Sequence, residues 1–314
     1  MVTVKSAPRI YCDTAGVPWQ VRGTKDEQPG PGAKGKLILC ATPIGNLEDI
    51  TLRVLRTLRE ADLIAAEDTR NSIRLLNHFD IHTPMTSYHE YNKIEKGRQL
   101  LEKMKEGCTV ALITDAGTPG ISDPGEDLVR MCREEGIEVT SLPGACALIT
   151  GLTLSGQPTR RFAFEAFLPM DKKTRAQILH ELAGETRTIV LYEAPHRLVK
   201  TLQELKDTLG NRPATLCREL TKIHEEAWMT DLDHLVNKYS SEKPLGECVL
   251  VIRGKPADEV EKEAQARWES LSLQEHVSFY ENEGLSHKDA MRQAASDRGL
   301  SRRDVYQALL AQKE

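Results

Sequence analysis

The feature that most constrains the fold is an alternation of short apolar runs with amphipathic segments, which begins at Leu37. The apolar runs have the length of strands, and the segments between them repeat apolar residues at helical spacing. Parallel strands need crossover connections of this kind, so the pattern predicts an α/β fold with a mostly parallel sheet flanked by helices. The predicted strands are 37–41, 62–66, 108–114 and 137–142, and the predicted helices are 50–60, 69–78, 94–106, 125–135 and 145–155.

A turn-rich break at Gly156–Thr159 separates this unit from a second α/β pattern. Gly and Pro interrupt regular structure, so a cluster of them between periodic segments marks a connection. We therefore predict two domains, residues 37–156 and 157–256. The second pattern predicts strands at 161–167, 186–192, 213–219 and 246–252, with helices at 173–183 and 196–208.

Both ends of the chain differ from these two units. Residues 1–36 carry prolines without periodic apolar spacing, which predicts a flexible tail outside the fold. In 270–314, Ser286 and Ser301 each precede an aspartate at capping-box spacing, and Gly299 would end the first of two short helices. Two helices around a tight turn are typical of a helix-turn-helix and also of a packing or dimerisation hairpin, and the residues alone leave both open.

The first segment that resembles a nucleotide site is Gly30–Lys36, which fits the phosphate-loop pattern G-x-x-x-x-G-K. Leu37 follows it where that loop requires Ser or Thr, and the segment precedes a strand instead of following one. We therefore predict no nucleoside triphosphate site there.

Composition excludes several classes of protein. A net charge of -5 over 314 residues gives no global attraction to nucleic acid, so any RNA contact must be a local basic patch. The 7 cysteines include no C-x-x-C pair, which predicts reduced structural thiols and no metal site. The chain has no apolar stretch long enough for a membrane span and no signal-peptide core, so we expect a cytoplasmic protein that does not contact membranes.

Loops rich in Gly and Pro follow strands of the first unit, where ligands of parallel α/β sheets bind. These loops are Ala41–Asn46, Asp115–Gly125 and Leu142–Ala147. Each loop by itself could be a tight turn. Three of them at one edge of a sheet favour a binding site.

Pro43 indicates which ligand this site can take. It lies where a dinucleotide fold would place its glycine-rich turn, and proline has no N–H to donate to a pyrophosphate. A nucleoside-like cofactor without phosphates remains, and S-adenosylmethionine is the commonest of these. Gly117, Gly120 and Gly144 would let the main chain approach such a ligand closely.

Polar clusters at other strand ends could hold a substrate. Ala66–Arg70 and Ser87–Asn92 bring acids, an arginine, an imidazole and aromatic rings, which could grip a phosphodiester and stack bases. Tyr192–Arg197 and Arg218–Glu225 repeat the mixture in the second unit. Helix caps, surface ion pairs and charged strand ends are the structural alternatives, and they remain open.

Ordered motifs carry a resemblance to a known family. The chain contains TPIGNLEDIT, AAEDTR, DAGTPGISDPG, LPGACALIT, FEAFLP, YEAPHRL, RELTKIHEE and GECVLVIRG. In this order and spacing they resemble the ribosomal RNA small-subunit methyltransferase I family of the tetrapyrrole-methylase superfamily. Gly120 and Ala145 depart from it, since the family usually has Leu and Pro at these positions.

The resemblance implies a homodimer of two-domain α/β chains that binds S-adenosylmethionine in the cleft between the domains. It implies 2'-O-methylation of a cytidine in the decoding centre of 16S ribosomal RNA, on free RNA or on the small ribosomal subunit. The helical domain at 270–314 is similar to the small helix-turn-helix domain of this family, which favours RNA contact there. Carried over to this sequence, the cofactor contacts are Pro43, Ile44, Thr118, Ile121, Ser122, Cys146, Ala147, Tyr192, Arg218 and Glu247.

The chemistry of methyl transfer to a hydroxyl suggests the catalytic candidates. A ribose 2'-hydroxyl is a poor nucleophile at neutral pH, so the enzyme must align it with the methyl group and accept its proton. The candidate bases are Glu67, Asp68, His89 and Glu90, and Arg70 and Lys222 are the candidate phosphate clamps.

Two other functions remain compatible with the sequence. One is a small-molecule methyltransferase on the same fold that acts on a corrin precursor and does not need the helical tail. The other is a binding protein without catalytic activity that uses the tail on nucleic acid and the cleft as a sensor.

Overall fold

The computed structural model describes residues 35–311. Apart from Gly35 and Lys36, the predicted tail at 1–36 and the segment Gly30–Lys36 lie outside the described residues, as does the end of the predicted helical domain after Ala311. None of the described helices is both long and apolar enough to cross a membrane.

The first sheet is fully parallel, with the strand order β3-β2-β4-β1-β5. Its central strand, β4, is buried along its whole length because helices cover both faces, as parallel sheets require. The predicted α/β fold with a parallel sheet is confirmed. The strands are β1 (Lys36–Cys40), β2 (Leu63–Ala66), β3 (Met85–Ser87), β4 (Val110–Ile113) and β5 (Glu138–Leu142).

The helices between these strands follow the predicted pattern. The first of them buries Val54 and Leu58 and is capped by the hydroxyl of Thr51, which accepts from the Val54 N–H at 3.1 Å. A 3-10 turn at Leu47–Asp49 precedes it. The helices are α1 (Leu52–Glu60), α2 (Thr69–His78), α3 (Lys93–Lys105), α4 (Gly125–Glu134) and α5 (Ala147–Leu154).

The second sheet has the order β6-β7-β10-β8-β9 and is mixed. Strands β6 and β7 are parallel, and the remaining neighbours are antiparallel. The strands are β6 (Phe162–Phe167), β7 (Thr188–Glu193), β8 (Pro213–Arg218), β9 (Glu226–Asp231) and β10 (Cys248–Ile252). The helices are α6 (Lys172–Ala183), α7 (Pro195–Leu209) and α8 (Leu232–Ser241).

The sequence pattern did not reveal β3, β9 and α8. Strand β3 has only 3 residues, too few for a period to show. Strand β9 lies at the sheet edge and alternates exposed and half-buried residues, two of them acidic, so it lacks an apolar run. Helix α8 follows it directly, with Asp231 as the N-cap, so no turn residue separates the two elements.

Helix α5 packs on the second sheet, against β7 and β10, although it continues the chain from β5 of the first sheet. A Cβ at Gly151 would lie 2.8 Å from the Val249 side chain, so only glycine permits this approach. Leu148 and Leu152 enter one apolar cluster with Val249 and with Ile44 from the loop after β1. The cluster joins the two units, whose predicted division at 37–156 and 157–256 stays a prediction.

The C-terminal helices pack on one another as a small bundle. Ser286 and Ser301 accept from the amides of Asp289 and Asp304 at 3.2 Å, as N-caps do. Ser272 and Glu275 form a reciprocal capping box at the start of a further helix, which the sequence pattern did not reveal. The helices are α9 (Ala257–Glu269), α10 (Leu273–Asn282), α11 (His287–Asp297) and α12 (Arg302–Ala311).

A buried histidine lies at the centre of this bundle. His276 is fully buried and stacks on Trp268, with the ring centroids 3.8 Å apart. Arg298 Nε donates to its Nδ1 at 3.0 Å, so the proton resides on Nε2, which lies 3.2 Å from Asp297 Oδ2. Burial and the Arg298 charge lower the pKa of His276, and Asp297 opposes them.

We expect the bundle to lose stability in mild acid. The pKa of His276 is lower in the folded chain than in the unfolded chain, where it is about 6.5. The contribution of His276 to the free energy of unfolding is therefore complete above the unfolded pKa and is lost as pH falls through the folded pKa. The slope should reach at most about 1.4 kcal/mol per pH unit. Amide hydrogen exchange of α10 and α11 between pH 5 and 7.5 would measure how the stability of the bundle changes with pH. His276→Gln should remove this pH dependence in the same range.

Candidate active site

The predicted loops meet at one edge of the first sheet. Strand β1 lies between β4 and β5, so the loops that follow these three parallel strands are neighbours. The carboxyl ends of β6 and β7 and the start of β10 face them from the second sheet, because β10 runs antiparallel to β7. A cleft of about 420 Å³ lies between the two sets of loops.

Residues from both units line this cleft. From the first unit they are Ile44, Glu67, Thr114, Asp115, Ala116, Gly117, Thr118, Ile121, Ser122, Asp123, Cys146 and Ala147. From the second unit they are Phe167, Tyr192, Glu193, Ala194, Pro195, Leu220, Glu247, Cys248 and Val249.

The carboxylate of Asp123 shapes the loop after β4. It accepts hydrogen bonds from the backbone N–H groups of Gly120, Ile121 and Gly125 at 2.8 to 3.0 Å. Gly120 has a φ of 83°, in the left-handed region that favours glycine. This loop is therefore fixed by its own hydrogen bonds, and glycine suits the backbone at the position where the motif departs from its relatives.

Neighbouring loops are tied to it directly. Thr42 and Gly117 exchange both backbone hydrogen bonds, at 2.9 and 3.1 Å. The Thr118 hydroxyl donates to the Ala145 carbonyl at 3.0 Å. These contacts hold the three loops together as one wall of the cleft.

Tyr192 forms part of the opposite wall. Its hydroxyl accepts from the Leu148 N–H at 2.9 Å, at the N-terminus of α5, and its ring packs edge-to-face on Phe164. Burial raises the pKa of this phenol, so it stays protonated. Tyr192 thus connects the second sheet to the helix that carries the Leu142–Ala147 loop.

The cleft is acidic at one end, where Glu67, Asp115 and Asp123 lie. Burial raises the pKa of Glu67, and the Asp115 and Asp123 carboxylates raise it further. The Asp115 N–H, 3.5 Å from Glu67 Oε2, and His89 oppose this shift. Such a site favours a cation and repels phosphates.

Most of the predicted cofactor residues come together in this cleft. Pro43 and Arg218 are not among the residues that line it. Arg218 instead forms an ion pair with Glu226 across β8 and β9 and donates to the Leu245 carbonyl at 2.9 Å. Those that line the cleft are Ile44, Thr118, Ile121, Ser122, Cys146, Ala147, Tyr192 and Glu247.

Of the predicted catalytic residues, Glu67 lines the cleft and two others pair with each other beside it. Asp68 caps α2, and its carboxylate accepts from Arg70 at 2.8 Å, which lowers the pKa of Asp68 to about 2. The Asp68 N–H donates to Asp115 Oδ1 at 3.2 Å. The pair therefore also positions Asp115.

The remaining catalytic candidates are not among the residues that line the cleft. Glu90 forms an ion pair with Lys93 at 2.8 Å. Lys222 lies between Glu219 and Glu247, 3.0 and 3.2 Å from their carboxylates. His89 follows β3, and its Nδ1 is buried without a hydrogen-bond partner in the described part of the chain.

Sequence reasoning passed over several residues of the cleft. Asp115 and Asp123 lie in the predicted Asp115–Gly125 loop. Aspartate is common in turns, so the local sequence does not distinguish a carboxylate that binds a ligand from one that stabilises a turn. Phe167 and Glu193 lie in the motifs FEAFLP and YEAPHRL. They line the cleft because the strand ends of the second sheet face the loops of the first sheet.

A buried polar network supports the second wall. The Glu193 carboxylate accepts from the Thr201 hydroxyl and pairs with Arg197 at 3.3 Å. Arg197 and the buried Arg175 both donate to the Leu168 carbonyl, beside Phe167. The network fixes the strand end from which the Phe167 ring reaches the cleft.

Comparison with known proteins agrees with this geometry. Residues 36–236 match the family model of Tetrapyrrole (Corrin/Porphyrin) Methylases. The ribosomal RNA small subunit methyltransferase I of Halalkalibacterium halodurans is 49% identical over 273 residues, which cover 87% of this chain and 94% of that protein. The protein of the same name from Synechocystis sp. is 46% identical, over 88% of this chain and 98% of its own.

The chain belongs to the ribosomal RNA small subunit methyltransferase I family. The resemblance carried by the ordered motifs is thereby confirmed. More distant solved structures share the fold alone. Diphthine synthase matches with a TM-score of 0.56 at 16% identity, over 70% of this chain and 90% of its own. A cobalt precorrin-4 methyltransferase matches with a TM-score of 0.51 at 17% identity, over 69% of this chain and 94% of its own.

Replacing Asp123 in this family member with Ala should loosen the loop after β4. The change leaves the N–H groups of Gly120, Ile121 and Gly125 without this acceptor, and hydrogen bonds to a charged group are each worth about 1.5–3 kcal/mol. We expect the free energy of unfolding to fall by about 1–3 kcal/mol in a urea titration.

Matched variants isolate the cause. Asp123→Asn keeps one acceptor oxygen and should lose less. Asp207→Ala on α7 removes a carboxylate that, among the described residues, accepts only from the Gln203 side chain, and it should change stability by less than about 0.5 kcal/mol. Equal losses in the two Ala variants would contradict the role given to Asp123.

Proposed function

We propose that this protein transfers the methyl group of S-adenosylmethionine to the ribose 2'-hydroxyl of a cytidine in the decoding centre of 16S ribosomal RNA. The observation that carries the proposal is the cleft between the two sheets, which combines an apolar lining with carboxylates. Family membership supports the reaction class, since the relatives are named ribosomal RNA small subunit methyltransferases.

The residues of the cleft fit this cofactor. Ile44, Ala147 and Val249 offer apolar surface for an adenine ring, and Glu67 and Asp115 place negative charge near a cationic sulfonium and ammonium. The same carboxylates that attract a sulfonium would repel a pyrophosphate.

When bound, S-adenosylmethionine supplies an electrophilic methyl group on a positively charged sulfur. The chain must hold the 2'-oxygen in line with the carbon–sulfur bond, because alignment accounts for much of the barrier. Bound in the cleft, the cofactor would supply its methyl group to this oxygen and would keep the electron pair of the broken carbon–sulfur bond on its sulfur. The hydroxyl proton passes to a carboxylate of the enzyme.

Glu67 suits the role of general base better than the other candidates. It lines the cleft, and its raised pKa makes it a stronger base than an exposed glutamate. Asp68 is occupied by Arg70, which lowers its pKa and weakens it as a base. Arg70 and Lys222 remain candidate phosphate clamps at the rim.

Glu67→Gln should lower the single-turnover rate of methyl transfer by about 100- to 10,000-fold, since it removes the proton acceptor. In the unmodified enzyme the rate should fall as pH drops through the raised pKa of Glu67, because the protonated carboxyl accepts no proton. Radiolabelled cofactor and unmethylated small subunits would measure both effects.

Controls separate Glu67 from its neighbours. Asp68→Ala, His89→Ala and Glu90→Ala should each retain most of the rate when the fold is intact. An unchanged rate in Glu67→Gln together with a collapse in His89→Ala would move the proton acceptor to His89.

The helical bundle distinguishes RNA from a corrin precursor as substrate. Ending the chain after Pro256 removes α9–α12, and we expect at least about a 10-fold loss of methyl transfer to small subunits, because phosphate contacts dominate RNA affinity. Cofactor binding, measured by calorimetry, should persist. Arg302→Glu with Arg303→Glu should reproduce the loss in the full chain, and unchanged transfer to RNA would favour the small-molecule alternative.

We propose further that the protein is a cytoplasmic homodimer, as the resemblance implies. The exposure of two apolar side chains of helix α5 supports a second copy as partner, since Ile149 and Leu154 are 49% and 42% exposed. Sedimentation equilibrium would test the dimer, and a monomer at micromolar concentration would contradict it.

A further inference from the structure

A second cavity of about 300 Å³ lies away from the cleft, and basic side chains dominate its lining. We call it the arginine pocket. Arg160 and Arg161 come from the segment before β6, Arg187 precedes β7, and Arg253 and Lys255 follow β10. The whole chain has a net charge of -5, so this concentration of positive charge is local.

The arginine pocket lies at the edge of the second sheet opposite the cleft. The ends of β6 and β7 and the start of β10 line the cleft. The segments at the starts of β6 and β7 and at the end of β10 line the arginine pocket. The length of a strand, about 17–20 Å, therefore separates the two. Protein–RNA interfaces commonly extend further, since one double-stranded RNA-binding domain spans about 16 base pairs.

Most of the charge in this pocket is not neutralised within the described residues. Glu185 pairs with Arg187, with 3.0 Å between Arg187 Nε and Glu185 Oε1. No described carboxylate lies within ion-pair distance of Arg160, Arg161 or Arg253, and all three are exposed. Three exposed guanidinium groups of like charge repel one another, which favours binding of an anion between them.

The backbone beneath these side chains is closely packed. A Cβ at Gly254 would lie 2.1 Å from the Thr186 carbonyl, so the segment after β10 contacts the start of β7 through glycine alone. The Lys255 N–H donates to the Glu185 carbonyl at 2.7 Å, and the Thr188 hydroxyl donates to the Pro158 carbonyl at 2.6 Å. These bonds tie together the segments that carry the arginines.

Helix α9 begins next to the arginine pocket, and its first turn combines the partial positive charge of the backbone with the carboxylates of Asp258 and Glu259. It begins at Ala257, directly after Pro256, which lines the arginine pocket, and its 13 residues run away from this point. A helix N-terminus carries a partial positive charge. Asp258 in its first turn pairs with Lys262 at 3.5 Å.

We propose that the arginine pocket binds phosphodiester groups of the substrate RNA backbone. Guanidinium groups bind phosphate oxygens in bidentate geometry, and such contacts position an RNA without reading its sequence. The proposal rests on the proposed function for its choice of RNA. The pocket anchors the RNA at one edge of the second sheet while the target ribose reaches the cleft at the other.

The test compares the affinity of the full-length enzyme for unmethylated 16S RNA and for small subunits at several salt concentrations. Arg160→Ala, Arg161→Ala and Arg253→Ala, combined, should weaken binding by about 10- to 100-fold at 0.15 M salt and reduce the salt slope by about 2. KM for the subunit should rise, and kcat and cofactor affinity should stay unchanged.

Matched variants distinguish an effect of the arginine pocket on RNA affinity from an effect of the overall net charge. Lysine at the same three positions should restore most of the affinity, since it keeps the charge. Arg74→Ala, Arg98→Ala and Arg133→Ala remove the same charge from exposed helical positions of the first unit and should have little effect. Thermal unfolding of all variants should match the unmodified protein, because these side chains are exposed.

Several outcomes would overturn the proposal. Unchanged RNA affinity in the alanine variant would do so, as would a fall in kcat with unchanged KM. Tight binding of inorganic pyrophosphate by the unmodified protein, with RNA affinity independent of the arginines, would assign the pocket to a free phosphate. If the unmodified enzyme methylated no RNA yet bound it through these arginines, the proposed function would fall and the RNA contact would stand.

Discussion

The packing of α5 on the second sheet is the contact on which the arrangement of the site depends. The chain leaves the first sheet at Leu142, forms the Leu142–Ala147 loop, and then crosses to β7 and β10. Gly151 permits the close approach to Val249, and the Tyr192 hydroxyl accepts from the first turn of the helix. Because one helix both carries a loop of the first unit and lies on the sheet of the second, the two walls of the cleft are held at a fixed separation.

Within that arrangement, electrostatics assign different ligands to the two edges of the second sheet. At the carboxyl end of β7, Glu67 and its neighbouring aspartates make the cleft suitable for a cation. At the other end, Arg160, Arg161 and Arg253 make the arginine pocket suitable for phosphate. A methyltransferase that acts on RNA needs both, since its cofactor is cationic and its substrate is a polyanion. Opposite charges at opposite ends of one sheet keep the two ligands from competing.

The sequence predicted the regular elements well where they have a buried face. Strand β4 shows a continuous apolar run because all of its residues are buried, and helix α1 shows an apolar period because one of its faces lies in the core. The edge strand β9 has no such period, and β3 is too short to have one. For the site, the Gly- and Pro-rich loops are visible from composition, whereas the cofactor contact of Arg218 stays a prediction, and its side chain forms an ion pair with Glu226. A charged side chain at a strand end can point to either side, and only its neighbours decide which.

The sequence by itself determined the fold class, the three loops at the edge of the first sheet and the family, because each depends on local periodicity or on ordered motifs. Tertiary structure alone decided which carboxylates share the cleft and which arginines share a pocket. Glu67 and Asp123 are far apart along the chain, and so are Arg161 and Arg253. The pKa of Glu67 and the unneutralised charge of these arginines depend on distances between such residues, which the packing of sheets and helices sets.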